Sequence, residues 1–241
     1  MPLPVIWFDF GGVLSPPQHE LFAGYERRTG IGPGQLQEAF RVVSRESGEH
    51  AMAALETGRT TEAAWGRRIA AALAGAGVDL SRARWESFGE QWFAGVRADP
   101  AMLRAVSAVR TAGHRVGVLS NNVREWEPYW RRMIEPAGPL DFVVDSSVVG
   151  LRKPQPEIYR LAEAVARAEP ADCVLVDDLA ANCAAARTAG WRAVDFRSAG
   201  QGLPELGELL GLPGLAASCL ASPEPEPGTG SDAGTEAESL P

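Results

Sequence analysis

The sequence predicts an α/β fold: a parallel sheet covered by helices, with an all-helical subdomain inserted after the first strand. Three observations predict it. Short, Val-rich apolar runs recur at 5–8, 116–119, 142–144, 173–176 and 193–196. Helical patterns separate the later runs, as strand–helix alternation requires. The interval of about a hundred residues between the first two runs holds helical patterns only. Runs that are apolar throughout belong to strands buried on both faces, the usual condition of parallel sheets.

The first run, 5–8, leads straight into Asp9, Phe10, Gly11 and Gly12. Helical patterns then cover 18–29, 35–48, 61–76 and 82–95, separated by the turn signals GIGPG (30–34), ETGRTT (56–61) and GVDLS (77–81). Thr60 or Thr61 is the expected N-cap of the third helix and Ser81 that of the fourth. Pro16, Pro17 and Pro100 stand on the two linkers and are read as stiffening the hinges. A helix at 100–112, with Met102, Leu103, Val106 and Val109 on one face, feeds the strand at 116–119. That strand ends in Ser120, Asn121 and Asn122. The run at 142–144 passes through Ser146 and Ser147 to Lys153, before a helix at 156–168. The run at 173–176 ends in Asp177 and Asp178, with Asn182 a turn further on in a helix at 180–189. The expected units are a core of 1–16 and 97–212, a helical cap of 17–96 and an acidic tail of 213–241.

Composition narrows the function classes. The chain has 241 residues, 45% of them hydrophobic, which allows a sizeable core. No apolar run approaches the ~20 residues of a membrane span, and the N-terminus lacks the basic start of a signal peptide. Cys173, Cys183 and Cys219 have no metal spacing and are odd in number, which suits a reduced cytoplasm. Net charge is −8, but five acidic residues lie beyond Pro213 with no basic partner, so the body is nearly balanced. No basic block suggests nucleic acid. The tail, rich in Pro, Glu, Gly and Ser, is expected to be disordered.

Ligands of parallel α/β sheets bind beyond the carboxyl ends of the strands. Four such ends carry Asp9, then Ser120 with Asn121, then Lys153, then Asp177 with Asp178. Each also has an ordinary reading: Asp9 before Gly-Gly as a turn former, Ser120 and the Asp177–Asp178 pair as helix caps, Lys153 as a loop residue. Their joint placement in this order argues for one site. Two adjacent carboxylates repel each other and call for a cation, and hard oxygen ligands suit Mg²⁺. Lys153 is also the single lysine among 22 arginines. A compact ammonium on a thin stem differs from a broad guanidinium, so a slot that needs a point charge in a tight space resists the arginine bias.

DFGGVL at 9–14, Ser120-Asn121, GLRKPQPEIY around Lys153 and VDDLAAN at 176–182 together resemble the four motifs of the haloacid dehalogenase-like (HAD) superfamily of hydrolases. The resemblance covers residues 4 to about 212 and extends to the place of the cap. It is nearest to the branch with the phosphatase domain of soluble epoxide hydrolase and bacterial sugar-phosphate phosphatases. It implies a Rossmann-like core and a Mg²⁺-dependent phosphatase acting on a small phosphorylated metabolite. In that reading Asp9 is the nucleophile that forms an aspartyl-phosphate. Mg²⁺ is held by Asp9, the Gly11 carbonyl and Asp178. Ser120 and the Asn121 amide bind phosphoryl oxygens, and Lys153 faces both Asp9 and the phosphoryl group. Asp177 orients Lys153 or a metal-bound water, with Asn182 behind. Arg59 and His19 are candidates for substrate contact from the cap, or plain connector residues.

One position departs from the pattern. Many phosphatases of the superfamily carry an acid/base Asp two residues after the nucleophile, and here that position is Gly11. Such proton transfer is worth ~10²–10⁴ in rate. Three readings follow: a phosphatase with good leaving groups or with another residue as acid, His19 being the first candidate; a dehalogenase-like enzyme that attacks carbon and needs no acid; and a non-catalytic protein that binds a phosphometabolite.

Overall fold

The computed structural model describes residues 3–221. Its chain order is β1 (Val5–Phe8), then helices α1 (Gln18–Thr29), α2 (Pro33–Ser47), α3 (Ala53–Glu56), α4 (Glu62–Gly75), α5 (Phe88–Trp92) and α6 (Pro100–Thr111). Next come β2 (Arg115–Ser120), α7 (Glu127–Ile134), β3 (Phe142–Asp145), α8 (Ser146–Val149) and α9 (Pro156–Ala166). The chain continues through β4 (Cys173–Asp177), α10 (Ala180–Thr188), β5 (Arg192–Asp195), α11 (Ala199–Leu210) and α12 (Leu215–Leu220).

The five strands form one sheet in the order β3-β2-β1-β4-β5, and every pairing is parallel. The expected α/β class is therefore the observed one. Because β1 is central, the chain winds outward to β3 and then crosses to the other side at β4. The switch point lies between the carboxyl ends of β1 and β4, where open α/β sheets bind ligands.

Alternation along each strand feeds two cores. Ile6 and Phe8 face α6, α7 and α11, meeting Met102, Val106, Trp130 and Leu206. Val5 and Trp7 face α9 and α10, meeting Ile158, Tyr159, Ala186 and Trp191. Trp7 is wholly buried in the sheet because β2 makes room for it: a Cβ on Gly117 would lie 2.6 Å from its ring.

The helices between β1 and α6 form the expected inserted unit. Its aromatic centre joins Tyr25, Trp65 and Phe88, with Phe88 4.7 Å from Tyr25 and 5.2 Å from Trp65 between centroids. That centre runs on into the sheet core. Phe88 stacks on Trp126 at 6.0 Å, and Phe93 reaches both Trp126 and Phe10. A buried carboxylate adds to the joint. Glu62 accepts from the Gly89 amide and from Trp126 Nε1, both at 2.6 Å, across cap and core.

Three expectations are corrected in detail. The pattern at 82–95 is not one helix but a 3-10 turn, Trp85–Ser87, followed by the short α5. Gln91 intervenes: its side chain takes the Arg84 amide and the Arg82 carbonyl, groups that a continuous helix would need for itself. Ser81 accordingly caps nothing; it sits in a turn closed by Asp79, whereas Thr61 does cap α4 by accepting from Ala64. Pro100 opens α6 at its first turn, behind the N-cap Asp99, and the linkers are joined by a hydrogen bond from Asp99 N to the Leu14 carbonyl.

The boundary of the tail also moves. Residues 215–220 form α12, with Leu215 and Cys219 buried, and Arg104 donates twice to the Cys219 carbonyl. The core therefore runs past 213. The rest of the expected tail, 222–241, lies outside the described residues. Among the described residues no helix is long and apolar enough to cross a membrane.

Candidate active site

The site grows from the ends of β1, β2 and β4. The Asp9 amide donates to the Val176 carbonyl at 2.9 Å, extending the β1–β4 ladder by one residue and fixing Asp9 at the switch point. Its carboxylate accepts from the next amide, Phe10 N, at 2.7 Å. Burial pushes its pKa up, and the Lys153 ammonium opposes the rise.

The chain then folds around that carboxylate. Ser15 closes the loop, its amide donating to the Phe10 carbonyl and its hydroxyl accepting from Gly12 N. The two glycines have different grounds. Gly12 sits at φ 71°, and a Cβ there would lie 2.4 Å from Asp178 Oδ2. Gly11 has an ordinary φ of −66°, and a Cβ there would meet only Asp9 Oδ2, at 4.0 Å. Gly12 is thus required by the backbone and by Asp178, whereas a side chain at position 11 has both the conformation and the space it needs. Gly12→Ala is expected to cost ~1–3 kcal/mol in strain and to displace Asp178, lowering turnover by at least about tenfold. Unchanged melting and steady-state rates would refute that account.

Lys153 is 1% exposed and ties three elements together. Its Nζ donates to the Leu119 carbonyl at 2.7 Å and to Asp177 Oδ2 at 2.5 Å, and lies 3.1 Å from Asp9 Oδ1. An ammonium has three protons, and three acceptors surround this one. Burial works against its charge, but Asp177 and Asp9 outweigh burial and raise its pKa.

Asp177 is fully committed. Besides Lys153 it accepts from Asn182 Nδ2 at 2.9 and 3.2 Å and from the Leu179 amide at 2.9 Å. Tyr159 in turn donates to the Asn182 carbonyl. Asp178 is the opposite case: it is half-buried and has no side-chain hydrogen bond among the described residues. Burial, then the charges of Asp9 and Asp177, push its carboxyl up to about 7. Oxygens of Asp9, Asp177 and Asp178 lie within 4.8 Å of one another. Three carboxylates around one ammonium leave a surplus of negative charge, and the chemistry of this donor set fits a divalent cation. Since Asp177 is spent on Lys153 and Asn182, Asp9 and Asp178 are the side chains left to hold it.

Ser120 is buried beside Asp9, and its hydroxyl helps to stabilise the ionised carboxylate. The Asn121 side chain is taken up by the backbone of the lysine. Its side-chain amide is not turned to a phosphoryl group: Nδ2 donates to the Lys153 carbonyl at 2.9 Å, and Oδ1 accepts from Lys153 N at 2.8 Å. It clamps the backbone that carries the lysine. Of the two cap candidates, His19 is exposed at the start of α1, and Arg59 is exposed and held by Thr57 and Glu49.

Two cap carboxylates carry more than the sequence suggested. One is Glu62, at the cap–core joint described above. The other is Glu56, paired with Arg152 at 2.6 Å. The pair joins residues far apart in the chain, which no periodicity reveals; only the position of Arg152, directly before the single lysine, hinted at it.

The family model described as haloacid dehalogenase-like hydrolase matches residues 3–190. Among curated proteins, mouse acyl-CoA dehydrogenase family member 10 is 28% identical over 214 residues, 86% of this chain and 19% of that protein. Pig bifunctional epoxide hydrolase 2 is 25% identical over 222 residues, 88% of this chain and 40% of that protein. Beta-phosphoglucomutase of Bacillus subtilis is 29% identical over 108 residues, 45% of this chain and 46% of that protein. The chain thus spans less than half the length of these relatives. Among solved structures, a HAD family enzyme of Bacteroides thetaiotaomicron in complex with magnesium and inorganic phosphate has a TM-score of 0.59 at 17% identity, covering 81% of this chain and 95% of its own. L-2-haloacid dehalogenase of Xanthobacter autotrophicus, with chloropropionic acid covalently bound, has a TM-score of 0.58 at 17% identity, covering 80% of this chain and 76% of its own.

Proposed function

This chain belongs to the haloacid dehalogenase-like hydrolases, and from that premise we propose that it is a magnesium-dependent phosphatase that acts on a small phosphorylated metabolite through an aspartyl-phosphate. One observation carries the reading: Lys153 is locked between Asp9 and Asp177 while Asp178 stands unpaired beside them. A carboxylate that attacks carbon needs no cation. One that attacks a phosphate dianion must first have the charge repulsion relieved. The Bacteroides enzyme's magnesium and phosphate agree with this.

In this reading Asp9 attacks phosphorus, its approach fixed by the hydrogen bond from Phe10 N and by Lys153. The Lys153 ammonium neutralises Asp9 at the start and the phosphoryl oxygens as charge moves onto them. The Ser120 hydroxyl and the Asn121 backbone amide donate to those oxygens. Asp177 keeps Lys153 charged and aimed, and Asn182 keeps Asp177 in place. Asp9, Asp178 and the Gly11 carbonyl would hold Mg²⁺, which supplies charge neutralisation between nucleophile and phosphate when bound. The cap covers this end of the sheet and would exclude water during transfer. Three buried free thiols suit a reducing, cytoplasmic setting.

Gly11 is what favours a second reading, attack on a halogenated carbon, as the Xanthobacter enzyme's name describes for that protein. The test is a panel of phosphometabolites and 2-haloacids, each with Mg²⁺ and with EDTA. Phosphate release that EDTA abolishes is expected. Halide release from 2-haloacids would replace the phosphatase reading with the second one, and thermal stabilisation by phosphometabolites with no turnover would make the protein a binder.

A further inference from the structure

An alkyl phosphate leaves poorly unless its oxygen is protonated, and position 11 has no group to do it. The cap brings a carboxyl to the same end of the sheet. Glu56 ends α3, and two contacts hold its loop to the core. Arg152 NH2 lies 2.6 Å from Glu56 Oε2. The Gly58 backbone, at φ 66°, presses on Ser147, so that a Cβ on Gly58 would fall 2.4 Å from the Ser147 carbonyl. Within the core, Arg124 fixes that same carbonyl by donating to it at 3.0 Å. Arg152 is the residue before Lys153, whose Nζ is 3.1 Å from Asp9. The charges of both Asp9 and Lys153 act on this carboxyl of the cap.

The state of that carboxyl is unusual. The Glu56 side chain is 14% exposed. Oε2 is buried against Arg152 without hydrogen-bond geometry. Of two other cap carboxylates, Glu49 is turned to Arg59 at the surface and Glu62 accepts from Gly89 and Trp126. Building on the phosphatase reading, we infer that Glu56 is the proton donor and acceptor that stands in for the missing carboxyl at position 11.

The steps balance. Asp9 forms a bond to phosphorus as the bond from phosphorus to the leaving oxygen breaks. The electron pair goes to that oxygen, which takes the Glu56 proton. Glu56, now a carboxylate, accepts a proton from the incoming water as the water oxygen bonds to phosphorus. The bond from phosphorus to Asp9 breaks, and phosphate and the starting enzyme are restored. The charged groups that act on Glu56 suit the role: burial raises its pKa, the Arg152 ion pair restrains the rise, the Asp9 charge adds to it, and Lys153 opposes it. The neighbour that holds Glu56 in place thus belongs to the core, so the donor is assembled only where the cap meets the sheet.

The test compares an alkyl phosphate with p-nitrophenyl phosphate, whose leaving group needs no proton. Glu56→Gln should lower kcat/KM about 10²-fold or more for the alkyl phosphate and less than about tenfold for the aryl phosphate. The basic limb of the alkyl pH profile should disappear with it. Glu56→Asp, which keeps the carboxyl, should retain that limb at a lower rate, and adding Gly11→Asp to Glu56→Gln should restore part of the alkyl activity. Equal losses on both substrates with the basic limb intact would make Glu56 a strap for the cap and overturn the proposal, as would no loss on either. Aryl phosphate hydrolysis in Glu56→Gln that still requires Asp9 separates this failure from a failure of the phosphatase reading.

Discussion

The Asp9→Asn protein is expected to lose turnover by about 10⁴-fold or more, as enzymes do when the attacking group is removed, while it keeps its fold. The geometry explains why the two effects part. An Asn oxygen still accepts from Phe10 N, where Asp9 Oδ1 now does at 2.7 Å, so the turn after β1 survives. The backbone bond to Val176 is untouched. What disappears is the charge, and that charge is costly in the free enzyme: Asp9 is 7% exposed and its carboxyl is pushed up by burial. Its removal also takes a repulsive neighbour away from Asp178, so the Asp178 carboxyl should ionise more readily in the variant. Melting temperature in the absence of metal should therefore be unchanged or higher. A variant that keeps most of its rate would make Asp9 a turn residue and end the proposed mechanism.

Much of this was legible because the fold converts chain order into position. Residues that follow apolar runs of strand length must gather on one rim of a parallel sheet, so Asp9, Ser120, Lys153 and Asp177–Asp178 could be grouped without knowing any distance. The singularity of Lys153 was legible for another reason: a background of arginines makes a retained lysine informative. What stayed hidden depends on how side chains are shared. Nothing in the sequence shows that both ends of the Asn121 side chain are taken by the Lys153 backbone. Gln91 breaks a helix that the pattern at 82–95 would continue. Glu56 reads as part of a turn signal, because the ion pair that gives it meaning is made with Arg152, on the far side of the cap–core joint. Local pattern places residues on elements; it does not say which acceptor a donor will find across a joint.

Lys153→Arg is expected to be nearly as damaging to catalysis as Lys153→Ala, within about tenfold of it, although it keeps the charge. The three acceptors around Nζ converge on a single atom: the Leu119 carbonyl at 2.7 Å, Asp177 at 2.5 Å and Asp9 at 3.1 Å. Three protons on one tetrahedral nitrogen can serve them together. A guanidinium spreads its protons over three coplanar nitrogens and cannot point three at one spot. It is also larger, and the slot has no slack, since the lysine side chain is wholly buried. Overpacking of that kind costs ~1–3 kcal/mol and would push Asp9 or Asp177 out of line. Alanine fails for a different reason: it leaves two buried carboxylates facing each other with no cation, a loss of ~3–5 kcal/mol when a buried pair is broken. The two variants should therefore separate by melting temperature, with alanine the less stable, while agreeing in kcat/KM. A Lys153→Met control, similar in length and uncharged, should melt like alanine if the lost charge is the cause. Near-normal turnover in the arginine variant would show that the slot needs only a positive charge, and the single lysine would then carry no mechanistic meaning.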